Sequence, residues 1–157
     1  MTERMLHLFA YHQWGNLELV HHIGNLPQDV YQANIQSVFP SIKDTFSHMV
    51  AVDRLWFERI KGNREAVQEE KPMNTAEAIG DEMKKLYQEM RTYLQTIDHN
   101  YVVSYSNSRK EMFQNNVMDL IHHLVNHGTY HRGNITAMLH QQGYRSVSTD
   151  YIYYLRR

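Results

Sequence analysis

Residues Asn116 to Gly143 read NVMDLIHHLVNHGTYHRGNITAMLHQQG, and the spacing inside this stretch decides the fold. Leu120, Leu124, His127, His131, Ile135 and Met138 recur at three- and four-residue steps, the period of a helix that buries one stripe. Asp119 stands in the first turn of this helix, which begins near Asn116, and Gly143 is a natural left-handed stop. His127 and His131 are four residues apart on the core-facing line, so both imidazoles project from one face. Two such rings can share one metal ion without completing its coordination. A catalytic zinc-like centre takes about three protein ligands and a structural one about four. A further donor must therefore come from elsewhere. His123 extends the pair into a ladder at 123, 127 and 131, of which only neighbouring rungs can share an ion, because 123 and 131 are about 12 Å apart along the axis. The stripe favours 127 with 131, since His123 falls toward its edge, and His122 points away. Gly128 follows His127, so the glutamate of a metalloprotease HExxH helix is absent and a zincin protease is rejected.

Working outward, Met5, Leu6, Phe9, Ala10, Trp14, Leu17 and Val20 mark a first helix from Thr2, its candidate cap, to about Gly24, with Pro27 beyond. Asn16 lies close to that stripe and reads equally as a satisfied amide or as a residue near a site. An irregular linker runs from Asn25 to Pro40. Ser41 then caps a second helix reaching about Lys61 and Gly62, with Asp44 in its first turn and a stripe of Thr45, His48, Met49, Val52, Leu55, Trp56 and Ile60. A lone histidine such as His48 on an apolar face is ordinarily a hydrogen-bonded core residue. The incomplete pair at 127 and 131 keeps a ligand role open for it. After a charged loop, Asn74 with Glu77 signals a third helix carrying Ile79, Met83, Leu86, Met90, Leu94 and Ile97, whose methionines read as core filler. From Asp98 to Asn115 the period breaks, and Tyr101 to Tyr105 followed by Ser106-Asn107-Ser108 suggests a short hairpin or an extended crossover. The aromatic run Tyr151 to Leu155 is expected to pack back on the bundle or to line a partner surface. The expectation is an all-α four-helix bundle, one domain over residues 1–157, with a long irregular crossover between the third and fourth helices.

Composition narrows the chemistry. Lys+Arg number 16 against 17 Asp+Glu, a net charge of −1, so the basic field that drives nucleic-acid binding is missing. There is no cysteine, which excludes disulfides, a thiolate nucleophile and Cys-ligated zinc, and leaves metal binding to His, Asp and Glu. The N-terminus lacks a signal-peptide core and no stretch approaches the roughly 20 apolar residues of a membrane span, so a soluble, cytoplasmic protein is expected, without membrane or nucleic acid as partner. Of the 11 histidines, His7, His12, His21, His22, His99 and His140 have no spacing partner and read as surface or boundary residues. The alternative for His21 and His22 is that they reach the site from the first helix.

The run Leu124-Val125-Asn126-His127-Gly128-Thr129-Tyr130-His131-Arg132-Gly133-Asn134-Ile135, with Met138-Leu139, Gly143 and Asp150-Tyr151-Ile152-Tyr153-Tyr154-Leu155, resembles the C-terminal signature of the DinB/YfiT-like metal-binding proteins. The resemblance extends to Tyr11-His12-Gln13-Trp14-Gly15-Asn16-Leu17 and to Ser47-His48-Met49 with Asp53 and Trp56, and so to nearly the whole chain. It implies a four-helix bundle holding one divalent metal through His48, His127 and His131, often as a homodimer. The family frequently carries Gln where this chain has Asn134, a shorter amide whose reach differs. Related branches include thiol-dependent transferases and isomerases. A three-imidazole site would then act on a low-molecular-weight thiol cosubstrate, as an S-transferase, or assist hydrolysis through bound water. The alternative is a non-catalytic, metal-stabilised dimeric stress-response protein. Imidazole ligands suit zinc, nickel, iron and copper, with zinc the default. No catalytic acid or base is assigned, and Asp44, one turn before His48, is a candidate to orient that ring on spacing alone.

Overall fold

The computed structural model describes residues 2–157, apart from the side chain of Thr2, so the cap expected there lies outside the described residues. In chain order the elements are α1 (Thr2–Gly24), α2 (Gln28–Gln32), α3 (Ile42–Ile60), α4 (Ala76–Leu94), β1 (Val102–Ser106), β2 (Met112–Asn116), α5 (Val117–Gln141) and α6 (Tyr151–Tyr154). Side-chain caps set three of the helix starts. The Ser41 hydroxyl accepts from the Asp44 amide, capping α3, and donates to the Asp44 carboxylate. Asn116 accepts from the Asp119 amide at the head of α5. At α4 the cap is Thr75, whose hydroxyl accepts from Ala78, one residue later than the Asn74 signal suggested. Both residue types cap well, and Thr75 is the one whose oxygen faces a free amide. Gly62 and Gly143, with φ of 102° and 83°, turn the chain after α3 and α5 in the left-handed region where only glycine is unstrained.

The four long helices α1, α3, α4 and α5 form a four-helix bundle. α1 packs mainly on α4 and α5, and α3 on the same two neighbours, so helices consecutive among the four lie diagonally at both ends of the sequence. The crossover before α5 is an antiparallel hairpin in the register Val102↔Asn116 to Ser106↔Met112. The core is apolar where periodicity placed it: Ile79, Met83, Leu86, Met90 and Leu94 of α4 and Leu120, Leu124, Ile135 and Met138 of α5 are all buried. The α1 stripe differs from the expected one. It runs Met5, Phe9, His12, Asn16, Leu19, Val20 and Ile23, while Trp14 and Leu17 are only half-buried. Two polar residues therefore occupy the core face of α1. The C-terminal aromatics pack back on this helix, with Tyr151 4.9 Å from Tyr11 and Tyr154 5.6 Å from Trp14 between ring centroids.

Candidate metal centre

His48 stands in the second turn of α3, which faces the middle of α5 where His127 and His131 emerge. The packing that buries Met49, Leu124 and Ile135 leaves these rings at the seam between the two helices. Nε2 of His127 lies 3.2 Å from Nε2 of His48 and 3.1 Å from Nε2 of His131. One ligand atom from each of the three residues fits within a 4.8 Å group, and among the described residues no carboxylate and no fourth imidazole joins it. His123 stays outside: it is exposed and its ring lies 6.0 Å from His127, beside Trp56. Of the ladder at 123, 127 and 131, the structure thus brings 127 and 131 together. His21 and His22 do not approach the group; His22 bonds the Arg145 carbonyl and His21 meets Asn25.

The donor geometry fits a metal ion. Around a tetrahedral ion with metal–nitrogen bonds of about 2.05 Å, ligand nitrogens are separated by about 3.3 Å, close to the 3.1 and 3.2 Å seen here. Three nitrogens aimed at one point cannot all be satisfied by hydrogen bonds to each other, because a neutral imidazole carries a single N–H. Their electrostatics agrees with ligand duty. Burial, then the neighbouring His131, pushes His127 down to about 4, against a smaller upward pull from Asp53. Burial, then His48, pushes His131 down to about 4 as well. Both rings are therefore neutral near pH 7, the form that offers a lone pair.

One ring is visibly oriented by a neighbour. Nδ1 of His48 lies 3.1 Å from Oε1 of Glu70. A carboxylate only accepts, so the Glu70 contact calls for the proton on Nδ1 and leaves the Nε2 lone pair to the cluster, while Gln68 Nε2 lies 3.2 Å from the same Nδ1. Gln68 Nε2 donates to the same Glu70 oxygen at 3.0 Å and braces it. The Asp44 role expected from spacing is corrected here: its carboxylate is held back at the helix start by the Ser41 hydroxyl. Glu70 and Gln68 escaped sequence reading because they sit in an aperiodic charged loop, where no spacing rule connects them to His48. Nδ1 of His127 and of His131 are buried without a hydrogen-bond partner among the described residues, and so is Nδ2 of Asn134. Phe39 forms a wall of the site, its ring 4.7 Å from His48 and 5.7 Å from His131. The His48 side chain keeps 18% exposure, so the cluster opens to solvent on the α3 side.

His12 is a second correction. It is not a boundary residue: it is 1% exposed and its Nε2 lies 2.9 Å from Oδ2 of Asp53. Asn16, undecided from sequence, is fully buried and bonded to Tyr87 and Arg132. The signal that could have found both was their position four residues apart, in phase with Met5, Phe9 and Leu19.

A four-helix bundle whose facing helices aim three imidazoles at one point defines a helical protein with a candidate mononuclear metal centre. More narrowly, the sequence matches the DinB family over residues 1–157, and the chain belongs to that family. It is 35% identical over 164 residues to protein DinB of Bacillus subtilis strain 168, covering 99% of this chain and 95% of that one. Among solved structures it resembles YfiT from Bacillus subtilis, described as a probable metal-dependent hydrolase with an unusual four-helix bundle topology, at a TM-score of 0.68 over 91% of this chain and 88% of that chain. The identity there is 9%, so this likeness speaks for the fold. Among the described residues no helix is long and apolar enough to cross a membrane.

Proposed function

We propose that this protein binds one divalent transition metal, zinc by default, through His48, His127 and His131, and uses it to activate a small nucleophile. The observation that carries the reading is the convergence of three imidazoles, with His127 Nε2 3.2 Å from His48 Nε2 and 3.1 Å from His131 Nε2 and one ligand atom of each within 4.8 Å of the others, and with no fourth protein donor in the group among the described residues. An ion held by three neutral imidazoles keeps its full charge and an open position, and supplies a Lewis acid that acidifies a bound water or thiol. The chain's own part is to hold the nitrogens in place. Glu70 fixes the His48 tautomer, α5 fixes the other two rings at one-turn spacing, and Phe39 shields one flank from water.

Because the chain has no cysteine, a thiol would enter as a low-molecular-weight cosubstrate, making the protein an S-transferase. With water as the nucleophile it is a hydrolase, the activity ascribed to YfiT. We place the protein in the cytoplasm as a homodimer. The exposed Val102, Met112 and Phe113 of the hairpin are apolar surface that a second copy would cover. The same three ligands would also serve a non-catalytic stress-response protein that uses the ion for stability alone.

The test combines metal content with turnover. Wild type is expected to bind one zinc per chain, and His131→Ala to lose it. Wild type should also conjugate a small thiol to an electrophilic acceptor or hydrolyse an activated ester, in a chelator-sensitive manner. Full metal stoichiometry in His131→Ala would sink the ligand assignment. Zinc binding with neither activity would leave the non-catalytic reading.

A further inference from the structure

The three imidazoles lie on the seam between α3 and α5. The opposite seam of the bundle, between α1 and α4, holds a cavity of about 830 Å³ that the proposed chemistry does not use. That volume is in the range of small-molecule sites, about 300–1,000 Å³. Its floor is apolar. Trp14 and Leu17, the two α1 residues that the core leaves half-buried, line this cavity together with Val20. Gly80 lets α4 approach so closely that a Cβ there would come 2.9 Å from Val20.

The charged groups on the wall are not equally occupied. Asp81 is paired with Lys84 at 3.1 Å, so these two offset each other, and His21 accepts from the Asn25 side chain at 3.4 Å. Glu18 and Glu77, by contrast, have neither an ion pair nor a side-chain hydrogen bond among the described residues. Two helix ends also border the cavity and oppose each other. The last turn of α1 at Ile23 and Gly24 presents carbonyls, while the first turn of α4 at Ala76 presents amides. The two unpaired carboxylates therefore set the sign. The remaining charge, Arg157, shows what the wall accepts. Its guanidinium carbon lies 5.3 Å from the Trp14 ring centroid and 5.9 Å from that of Tyr154, with no carboxylate partner among the described residues. A cation is thus already seated on the indole face, supplied by an exposed side chain.

We propose that this cavity binds an amphipathic organic cation, a protonated amine or guanidinium carried on an apolar body. Its charge meets Glu18 and Glu77, while the body covers Leu17 and takes the place of Arg157 against Trp14. A neutral apolar ligand would desolvate the two carboxylates without pairing them, and an anion would be repelled by them. The site shares no residue with the three-histidine centre and needs no metal.

The experiment uses 4-phenylbutylammonium as the probe, with 4-phenylbutanol and 4-phenylbutyrate as its neutral and anionic counterparts. The chain has two tryptophans, so a nitrogen-15-labelled sample shows two indole N–H signals, which Trp56→Phe or Trp14→Phe assigns. The amine should shift the Trp14 signal saturably and leave that of Trp56, which lies beside His123, in place. It should bind at least tenfold more tightly than the alcohol, and the carboxylate should bind most weakly. Replacing both Glu18→Gln and Glu77→Gln should weaken the amine about tenfold, the range for two partly exposed ion pairs, and leave the alcohol unchanged. A merely structural role for the carboxylates would move both ligands alike. Equal affinity for amine and alcohol, equal losses for both in the double variant, or no shift at Trp14 would overturn the proposal. So would a Trp14 signal that moves with protein concentration in the absence of amine, because a second copy would then be the occupant.

Discussion

Two glycines in the signature of α5 should respond to alanine with opposite signs. Gly128 and Gly133 both lie in helical backbone, five residues apart. In a helix interior, Gly→Ala gains about 1 kcal/mol from propensity and reduced unfolded-chain entropy. At Gly133 a Cβ meets nothing within 4 Å, so that gain should appear undiminished, as about 0.5–1 kcal/mol of added stability. At Gly128 the Cβ would lie 2.8 Å from the His12 ring and 3.0 Å from an Arg132 nitrogen. Neither can swing away cheaply, since His12 is pinned to Asp53 and Arg132 to Asn16. Overpacking of this kind costs about 1–3 kcal/mol, and displacing His12 from a carboxylate adds about 1.5–3 kcal/mol. Set against the propensity gain, Gly128→Ala should lose about 1.5–5 kcal/mol net. The two variants should therefore differ by at least about 2 kcal/mol, which in a chain of this size is about 4–8 °C in Tm. Urea and thermal unfolding in the presence of a chelator would measure it. If Gly128→Ala is as stable as Gly133→Ala, the close approach of His12 to α5 is wrong, and with it the site of Asp53.

Two further outcomes follow from the centre itself. Glu70→Ala should weaken zinc about tenfold by freeing the His48 ring. Its effect on chelated-protein stability should stay within about 0.5 kcal/mol, because Glu70 is 45% exposed; an unchanged zinc affinity would show that the carboxylate does not orient the ring. The second outcome concerns pH. With His127 and His131 lowered to about 4, protons compete for these two nitrogens only well below the ordinary imidazole value of about 6.5. Zinc affinity should accordingly fall by no more than one logarithmic unit per pH unit between about pH 6 and 5. A slope of two or more in a titration would mean that the rings are ordinary, solvated imidazoles.

The parts of the structure that follow local rules could be read from the sequence. The stripes of α4 and α5, the Ser41 cap, the helix start near Asn116 and the stop at Gly143 each depend on residues within a turn of one another. So does the pairing of His127 with His131. The sequence failed where polar residues took core positions or where contact came from a loop. In α1 the search for apolar residues selected Trp14 and Leu17, both half-buried, over His12 and Asn16, which are in phase with the true stripe. Burial of those two residues is made tolerable by Asp53, Tyr87 and Arg132, which come from three other helices. No spacing within α1 contains that information. Glu70 is the same case in a loop, placed by tertiary contact 22 residues from the ring it holds.

The segment His127-Gly128-Thr129-Tyr130-His131-Arg132 can now be divided by angle. His127 and His131 lie about 40° apart around the helix axis, and Gly128 and Arg132 form a parallel pair about 100° further round. The first pair faces α3 and His48, while the second faces α1, where Gly128 admits the His12 ring and Arg132 closes over Gly15, whose Cβ would come 2.9 Å from the guanidinium carbon. One stretch of α5 thus serves two interfaces at once, and α5 does pack on both α1 and α3. Because a helix is stiff, rotating it to relieve a clash on the α1 side must also turn His127 and His131 relative to His48. The 3.2 Å between the His48 and His127 nitrogens across the α3–α5 seam leaves little room for such a turn. Packing against α1 and metal affinity are therefore coupled through rigid geometry, and a substitution at Gly15 or Gly128, neither of them a ligand, should register in zinc binding as well as in stability.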